Sequence, residues 1–392
     1  MNNGQILQKN NKVGIITIGR HSISLNYGAA LIPFAFQKYL DKLNVENIII
    51  DYKRKGIGDL RIIYPIIDAI RKRTKIKKII RLFLSKIYLK IKYNKFMDFA
   101  RKYYRAVDCY GAPFTNDYFE TNKTVDIFDF GVICCVSDII WSNKYNNSFD
   151  RTFFCDYEFC KNMIKVAYAP SISTCIRFKP EEEDIFRELI QNFDYISVRE
   201  KQSAEYIQQF TKKPVPYLID PVLLLEEKDY YPIIKNNQKY NNYLLVYTLK
   251  NNKSMLKKAK DLAKLLSLDY IEISEFWWNM VCHKQLYSFI GTEEFLGYLF
   301  NAKFVVTDSF HGMCFSIVFR KNFYIFPRDG VDLKMKNLVT LLDIEEVFVS
   351  EDNILKPITI NYEKVYSILN FERDKSRKFI ENAIINSKWM RK

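Results

Sequence analysis

Residues 303–321 read KFVVTDSFHGMCFSIVFRK. KFVVTD is short, apolar and β-branched, the pattern of a buried strand, whereas GMCFSIVFR has the length and apolar spacing of a following helix. His311 falls in the turn between them. Asp308 and Ser309 precede the helix as candidate caps, and Gly312 permits the change of direction. In an α/β domain such a turn places its side chains at the carboxyl edge of the sheet, where ligands of these folds bind.

The same alternation extends outward on both sides. Downstream lies NFYIF (322–326). Upstream lie YLLVYTL (243–249), a helix to about 267, DYIEIS (269–274) and a helix over 292–301. Nearer the start, VGIITI (13–18), a helical stretch over 28–43 and NIIIDY (47–52) form a βαβ unit, so the sheet is parallel. FDFGVICCVSD (128–138), KVAYAPSI (165–172), YISVRE (195–200) and VPYLIDP (215–221) continue as strands, separated by helices near 149–163, 180–192 and 201–210. The polar run EEKDYYPIIKNNQKYNN, residues 226–242, reads as a domain boundary.

With 392 residues, 48% of them hydrophobic, the chain can fill two cores. The expected fold is α/β: two doubly wound, Rossmann-like domains facing across a cleft, a GT-B-like arrangement. The domains are 1–225, with a basic helical insert at 53–105, and 240–350. A tail over 351–392 ends in a closing helix at 361–388.

The net charge of +15 is concentrated in the insert, where 18 Lys and Arg face only Asp59, Asp68 and Asp98. Within it Ile76, Ile79, Ile80, Phe83, Leu84, Ile87 and Ile91 recur at helical spacing, and Lys77, Lys78 and Arg81 fall outside their arc. Three readings stay open for residues 74–92: a helix packed on the fold with a solvated basic face, a helix lying on an anionic membrane surface, or a nucleic-acid contact. No nucleic-acid-binding motif accompanies the charge, so nucleic acid is not expected as a partner.

Other classes are disfavoured by what is missing. GRHSISLNYG (19–28) has neither the spaced glycines of a dinucleotide fingerprint nor a P-loop. Asn26 in that loop reads as a helix cap, or as one side of an anion site at the helix N-terminus. The polar start and the lack of a long apolar run suggest a cytoplasmic protein. The eight cysteines show no CxxC spacing and read as core residues, with Cys155 and Cys160 near enough to pair. No His/Cys/carboxylate cluster has metal spacing, so no metal or cofactor is expected.

Six pieces together resemble the polysaccharide pyruvyltransferase family: GIITIGRHSISLNYGAAL, CVSDIIW, AYAPSIS, YISVREKQS, LIDPVLLL and NAKFVVTDSFHGMCFSIVFRKNF. They run in the family's order from residue 13 to about 343. This chain has Val136 where the family usually carries Gly, and Lys336 where it usually carries Arg. The resemblance implies transfer of a pyruvyl group from phosphoenolpyruvate to two hydroxyls of a glycan acceptor, expected to be lipid-linked, as a cyclic ketal with release of phosphate.

That chemistry needs a general acid for the enol methylene and cations for phosphate and carboxylate. The resemblance implies His311 as general acid/base, with Arg199 and Lys321 as clamps and Asn26, Asp138 and Ser309 as further substrate-binding residues. An ion pair with Glu200 or Asp194 is the competing role for Arg199. Trp141, Trp277 and Trp278 read as core residues before sugar platforms, and His21 and His283 have no partners in sequence. The alternatives are a nucleotide-sugar glycosyltransferase of the same architecture and a non-catalytic membrane-associated binding protein.

Overall fold

The computed structural model describes residues 12–18, 26–54, 76–108, 113–121, 129–142, 149–172, 177–236, 241–250, 252–274, 289–327, 332–349 and 354–386; for 76–89 and 332 the backbone alone is described. His21, His283, Trp277 and Trp278 lie outside these residues.

Two wholly parallel sheets form the frame. The first contains β1 (Val13–Ile16), β2 (Asn47–Ile50), β3 (Ala106–Val107), β4 (Val132–Val136), β5 (Ile164–Tyr168) and β6 (Tyr195–Ile196), in the order β3-β2-β1-β4-β5-β6. The second contains β7 (Tyr243–Thr248), β8 (Asp269–Ser274), β9 (Phe304–Thr307) and β10 (Asn322–Ile325), in the order β10-β9-β7-β8. In each the chain runs outward on one side of the first strand and then returns to build the other. This puts switch points between β1 and β4 and between β7 and β9, where side-chain-lined crevices open at the carboxyl edge. The predicted two-unit α/β fold is the one observed, GT-B-like in layout.

Helices cover both faces. α1 (Tyr27–Lys42) follows β1, α2 (Ile76–Tyr103) lies within the insert, and α3 (Asn116–Thr121) follows β3. α4 (Pro180–Ile190) precedes β6, and α5 (Lys201–Ile207) and the short α6 (Pro221–Leu224) follow it. α7 (Glu227–Tyr230) joins the units. The second unit adds α8 (Lys253–Leu265), α9 (Thr292–Asn301), α10 (Phe310–Val318) and α11 (Asp332–Leu341), and α12 (Tyr362–Ile380) closes the chain.

One apolar cluster runs through both units. It takes in Leu31, Phe36 and Cys134 of the first together with Leu245, Phe295 and Phe315 of the second. Tyr27 pins the junction: its ring stacks on Phe295 at 4.3 Å and its hydroxyl donates to the Ile290 carbonyl at 3.1 Å. The described half of α2 adds Lys95–Glu294 and Lys102–Glu293 ion pairs to the second unit. α12 returns to the first, where Arg373 donates to the Leu223 and Leu225 carbonyls at 2.8 and 2.7 Å.

Several expectations are corrected. VPYLIDP is not a strand: Tyr217 makes a single bridge to Val198, and then Asp220 caps α6. Pro216 and Pro221 bracket the segment and supply no N–H for a ladder. The helix expected over 149–163 is two 3₁₀ turns, Arg151–Phe154 and Glu158–Cys160, in which Phe153 and Phe154 turn into the core. The polar boundary is ordered through residue 236, because Tyr230 is fully buried and donates to the Val222 carbonyl at 2.8 Å. Cys155 lies 3.3 Å from Cys135 Sγ, the nearer partner being on β4 and not Cys160. Burial pushes the thiols of Cys134, Cys135, Cys155, Cys160 and Cys314 up, which suits core residues.

Candidate active site

β9 ends at Thr307, and the next five residues build the second unit's side of the site. Asp308 is fully buried and ties the switch point together, accepting from the Leu249 and Lys250 amides at 2.7 and 3.2 Å and from the Thr248 hydroxyl at 3.1 Å. Ser309 caps α10 by accepting from the Gly312 amide at 3.3 Å. Gly312 is inside the helix, not at a turn. An added Cβ there would stand 2.4 Å from Thr307 Oγ1, so its smallness lets α10 press against β9.

His311 is therefore held in the first turn of α10, 4% exposed, directly over the N-terminus of α1. Asn26 caps α1 by accepting from the Gly28 amide at 2.9 Å. A Cβ at Gly28 would lie 1.9 Å from His311 Nδ1. Only a glycine admits the imidazole at this position.

The first unit supplies the rest. Arg199 follows β6 and Asp220 precedes α6, and both are buried. The Asp220 Oδ2 oxygen accepts from Arg199 Nη1 at 2.7 Å and from the Ser137 hydroxyl at 2.9 Å, and it lies 3.7 Å from His311 Nε2. Its Oδ1 accepts from the Val222 amide at 3.1 Å. Burial alone would raise the Asp220 pKa, but His311 and Arg199 outweigh it and hold the carboxyl well below the usual range. For Arg199 burial opposes the charge, while Glu200, Asp220 and Asp138 together push its pKa up. Both groups are charged at neutral pH.

Arg199 takes the ion-pair role with Glu200 at 3.4 Å, not with Asp194, yet among the described residues its Nη2 has no hydrogen-bond partner; nor has His311 Nε2. The Arg199 guanidinium also stacks on Phe310, 4.7 Å from the ring centroid, and Lys334 approaches the same ring at 5.3 Å. In front of these groups a cleft of about 490 Å³ opens between the units, lined by Arg199, Lys201, Asp220, Phe310, Lys334 and Lys336 among others. Among the described lining residues three lysines stand beside the Arg199–Asp220 pair, which is itself balanced.

The remaining expected residues divide. Asp138 stands in the turn after β4 with left-handed φ (62°), as does Ser137 (43°); its Oδ1 accepts from the Ile139 amide at 2.8 Å, and its charge acts on Arg199. Val136 keeps an ordinary strand backbone one residue earlier, so the side chain in place of Gly strains nothing. Lys321 is not brought to His311. It follows the C-terminus of α10, about 15 Å along the helix axis from His311, with its Nζ 5.4 Å from the Phe300 ring. Burial pushes its pKa down. Trp141 is fully buried and donates to the Phe153 carbonyl at 2.9 Å.

Asp220, Ser137 and Gly28 were missed as site residues, although all three lie in the motif pieces quoted above. The signal was Asp-Pro in LIDP: a helix-capping acid before Pro at the first helical position, which points its carboxylate inward at a sheet edge. Among the described residues no group of His, Cys, Asp and Glu could hold a metal ion, and no helix is long and apolar enough to cross a membrane.

Two parallel α/β units with a cation-lined cleft and a His–Asp–Arg centre at their junction define the class, a two-unit α/β protein of GT-B-like layout. The particular family follows from the sequence match: the family described as polysaccharide pyruvyl transferase covers residues 26–330, and this chain belongs to it. No curated protein matches the sequence. Solved structures similar in overall form include S. aureus MnaA with UDP (11% identity, 94% of this chain and 89% of that one, TM-score 0.45). A UDP-GlcNAc 2-epimerase from Methanocaldococcus jannaschii with UDP-GlcNAc and UDP (12%, 93% of each chain, 0.44) is another.

Proposed function

We propose that the chain transfers the pyruvyl group of phosphoenolpyruvate to a sugar of a cell-surface polysaccharide precursor, forming a ketal. The observation that carries this reading is the shared Asp220 carboxylate. It links a buried arginine from one unit to a buried histidine from the other, and Arg199 and Asp220 themselves line the cationic cleft, with Phe310, the neighbour of His311, beside them.

The donor's phosphate and carboxylate suit the cleft, with Lys201, Lys334 and Lys336 as point charges and the unpaired Arg199 Nη2 as a directed donor. His311 gives a proton to the enol methylene, which becomes the methyl group, as an acceptor hydroxyl oxygen bonds to C2 and that hydroxyl's proton passes back to His311. The C2–phosphate bond then breaks, the second hydroxyl bonds to C2, and its proton leaves with the phosphate. Asp220 stays ionised and stabilises the imidazolium without itself moving a proton. The acceptor is read as lipid-linked and the site of action as the cytoplasmic membrane face, with residues 74–92 on anionic lipid and no cofactor.

The test is incubation with phosphoenolpyruvate and the source cell's lipid-linked oligosaccharide pool, with phosphate release and a pyruvyl-ketal product as readouts. His311→Gln is expected to lose about 100-fold or more of the turnover with an intact fold. Arg199→Lys is expected to raise the phosphoenolpyruvate KM about tenfold while kcat changes less. Turnover unaffected by His311→Gln would overturn the mechanism; absence of the ketal product would overturn the activity.

A further inference from the structure

The first unit carries a second cavity, of about 420 Å³, which shares no lining residue with the cationic cleft. Its walls leave the carboxyl edge of the sheet in succession: Arg54 after β2, Asn116 and Glu120 after β3, Asp150 after β4. One flank of α4 closes the remaining side through Ile185 and Leu189.

The floor is an ordered polar network. Asp150 accepts from the Tyr52 hydroxyl at 2.7 Å, Arg54 Nε at 2.8 Å, the Thr152 amide at 3.1 Å and Asn116 Nδ2 at 3.1 Å. Asn116 Nδ2 also donates to the Tyr157 hydroxyl at 3.2 Å. The Arg54 and Asp150 side chains are 7% and 6% exposed, so the pair carries a desolvation cost that the four hydrogen bonds on Asp150 offset. The network fixes Arg54, Asn116 and Tyr157 along a cavity wall.

The opposite wall is apolar. Ile185 is 51% exposed beside buried Leu189 and Phe149. A large aliphatic side chain left open at the mouth of a cavity lined elsewhere by polar groups is the pattern of a small-molecule site. Charge narrows the class of molecule. Among the described lining residues Arg54 is matched by Asp150 and Arg151 by Asp156, and the exposed Glu120 adds a carboxylate at the rim. These residues offer an anion such as phosphoenolpyruvate less than the cleft does. A neutral pyranose fits, with one apolar ring face for Ile185 and hydroxyls to donate to carboxylates.

We infer that this cavity is a carbohydrate subsite, holding a sugar of the acceptor glycan other than the one that receives the pyruvyl group. The assignment rests on the transferase reading for the identity of the glycan, not for the binding. The probe is the oligosaccharide fraction released by mild acid from the source cell's lipid-linked pool, followed by saturation-transfer NMR on the full chain. Wild type and His311→Gln are expected to transfer saturation to sugar ring protons. Ile185→Arg and Glu120→Arg, both surface changes, are expected to lose it at least about fivefold while phosphoenolpyruvate still broadens in the phosphorus spectrum. Equal transfer in the cavity variants, or none to wild type, overturns the subsite. A failed transferase reading shows separately, as no phosphate release with the sugar-binding pattern intact.

Discussion

The Asp220 carboxylate concentrates three contacts on one oxygen: a guanidinium, a hydroxyl and, at 3.7 Å, an imidazole from a residue 91 positions later. Without it the buried Arg199 would lose its closest counter-charge, and the acid without Arg199 would be an unpaired buried charge. The seat of the imidazole depends on a residue with no side chain. Gly28→Ala places a methyl group 1.9 Å from the present His311 Nδ1, so the ring must leave its position. Overpacking of this kind costs about 1–3 kcal/mol, which chemical denaturation measures. Phosphate release is expected to fall about 100-fold, as for loss of the acid itself, while phosphoenolpyruvate still binds through Arg199. Full activity in Gly28→Ala would mean that the observed His311 position is not the working one.

At the scale of elements, the sheets were legible because buried parallel strands are written as short apolar β-branched runs; DYIEIS and the helix at 292–301 match their predicted limits. VPYLIDP has the same composition, but its two prolines deny it the ladder, and the resulting irregular segment is what delivers Asp220. Lys321 was misplaced for a related reason: sequence proximity to His311 along a helix is distance in space. Arg199 and His311 were legible one by one, but their meeting at Asp220 was not, since these partners come together only through the fold. The basic helix extends further than expected, to Tyr103, and its described half packs Phe96, Phe99 and Ala100 inward. The proposed membrane role falls on its other half. Replacing Lys77, Lys78 and Arg81 by Glu is expected to weaken binding to phosphatidylserine vesicles by about 100-fold or more, at about 1 kcal/mol per basic residue removed. Unchanged, salt-insensitive binding would leave α2 a packing element alone.

Across the whole molecule the two units are clasped at several places besides the His311–Asp220–Arg199 centre. α12 crosses back to hold α6 through Arg373, the described half of α2 reaches α9, and Gln202 pairs with Asn337 at 3.1 Å. The Arg373 clasp acts on the helix whose cap is Asp220. Arg373→Ala removes two charge-assisted hydrogen bonds of about 1.5–3 kcal/mol each. It is expected to lower the urea midpoint and to raise the phosphoenolpyruvate KM together; a lowered midpoint with an unaltered KM would separate the clasp from the site. The division of the centre between units bears, on the proposed reading, on wasted donor. On that reading Arg199 of one unit would hold phosphoenolpyruvate and His311 of the other would supply its proton, so a variant that loosens the junction is expected to keep donor binding while losing phosphate release, and with it any loss of donor as free pyruvate.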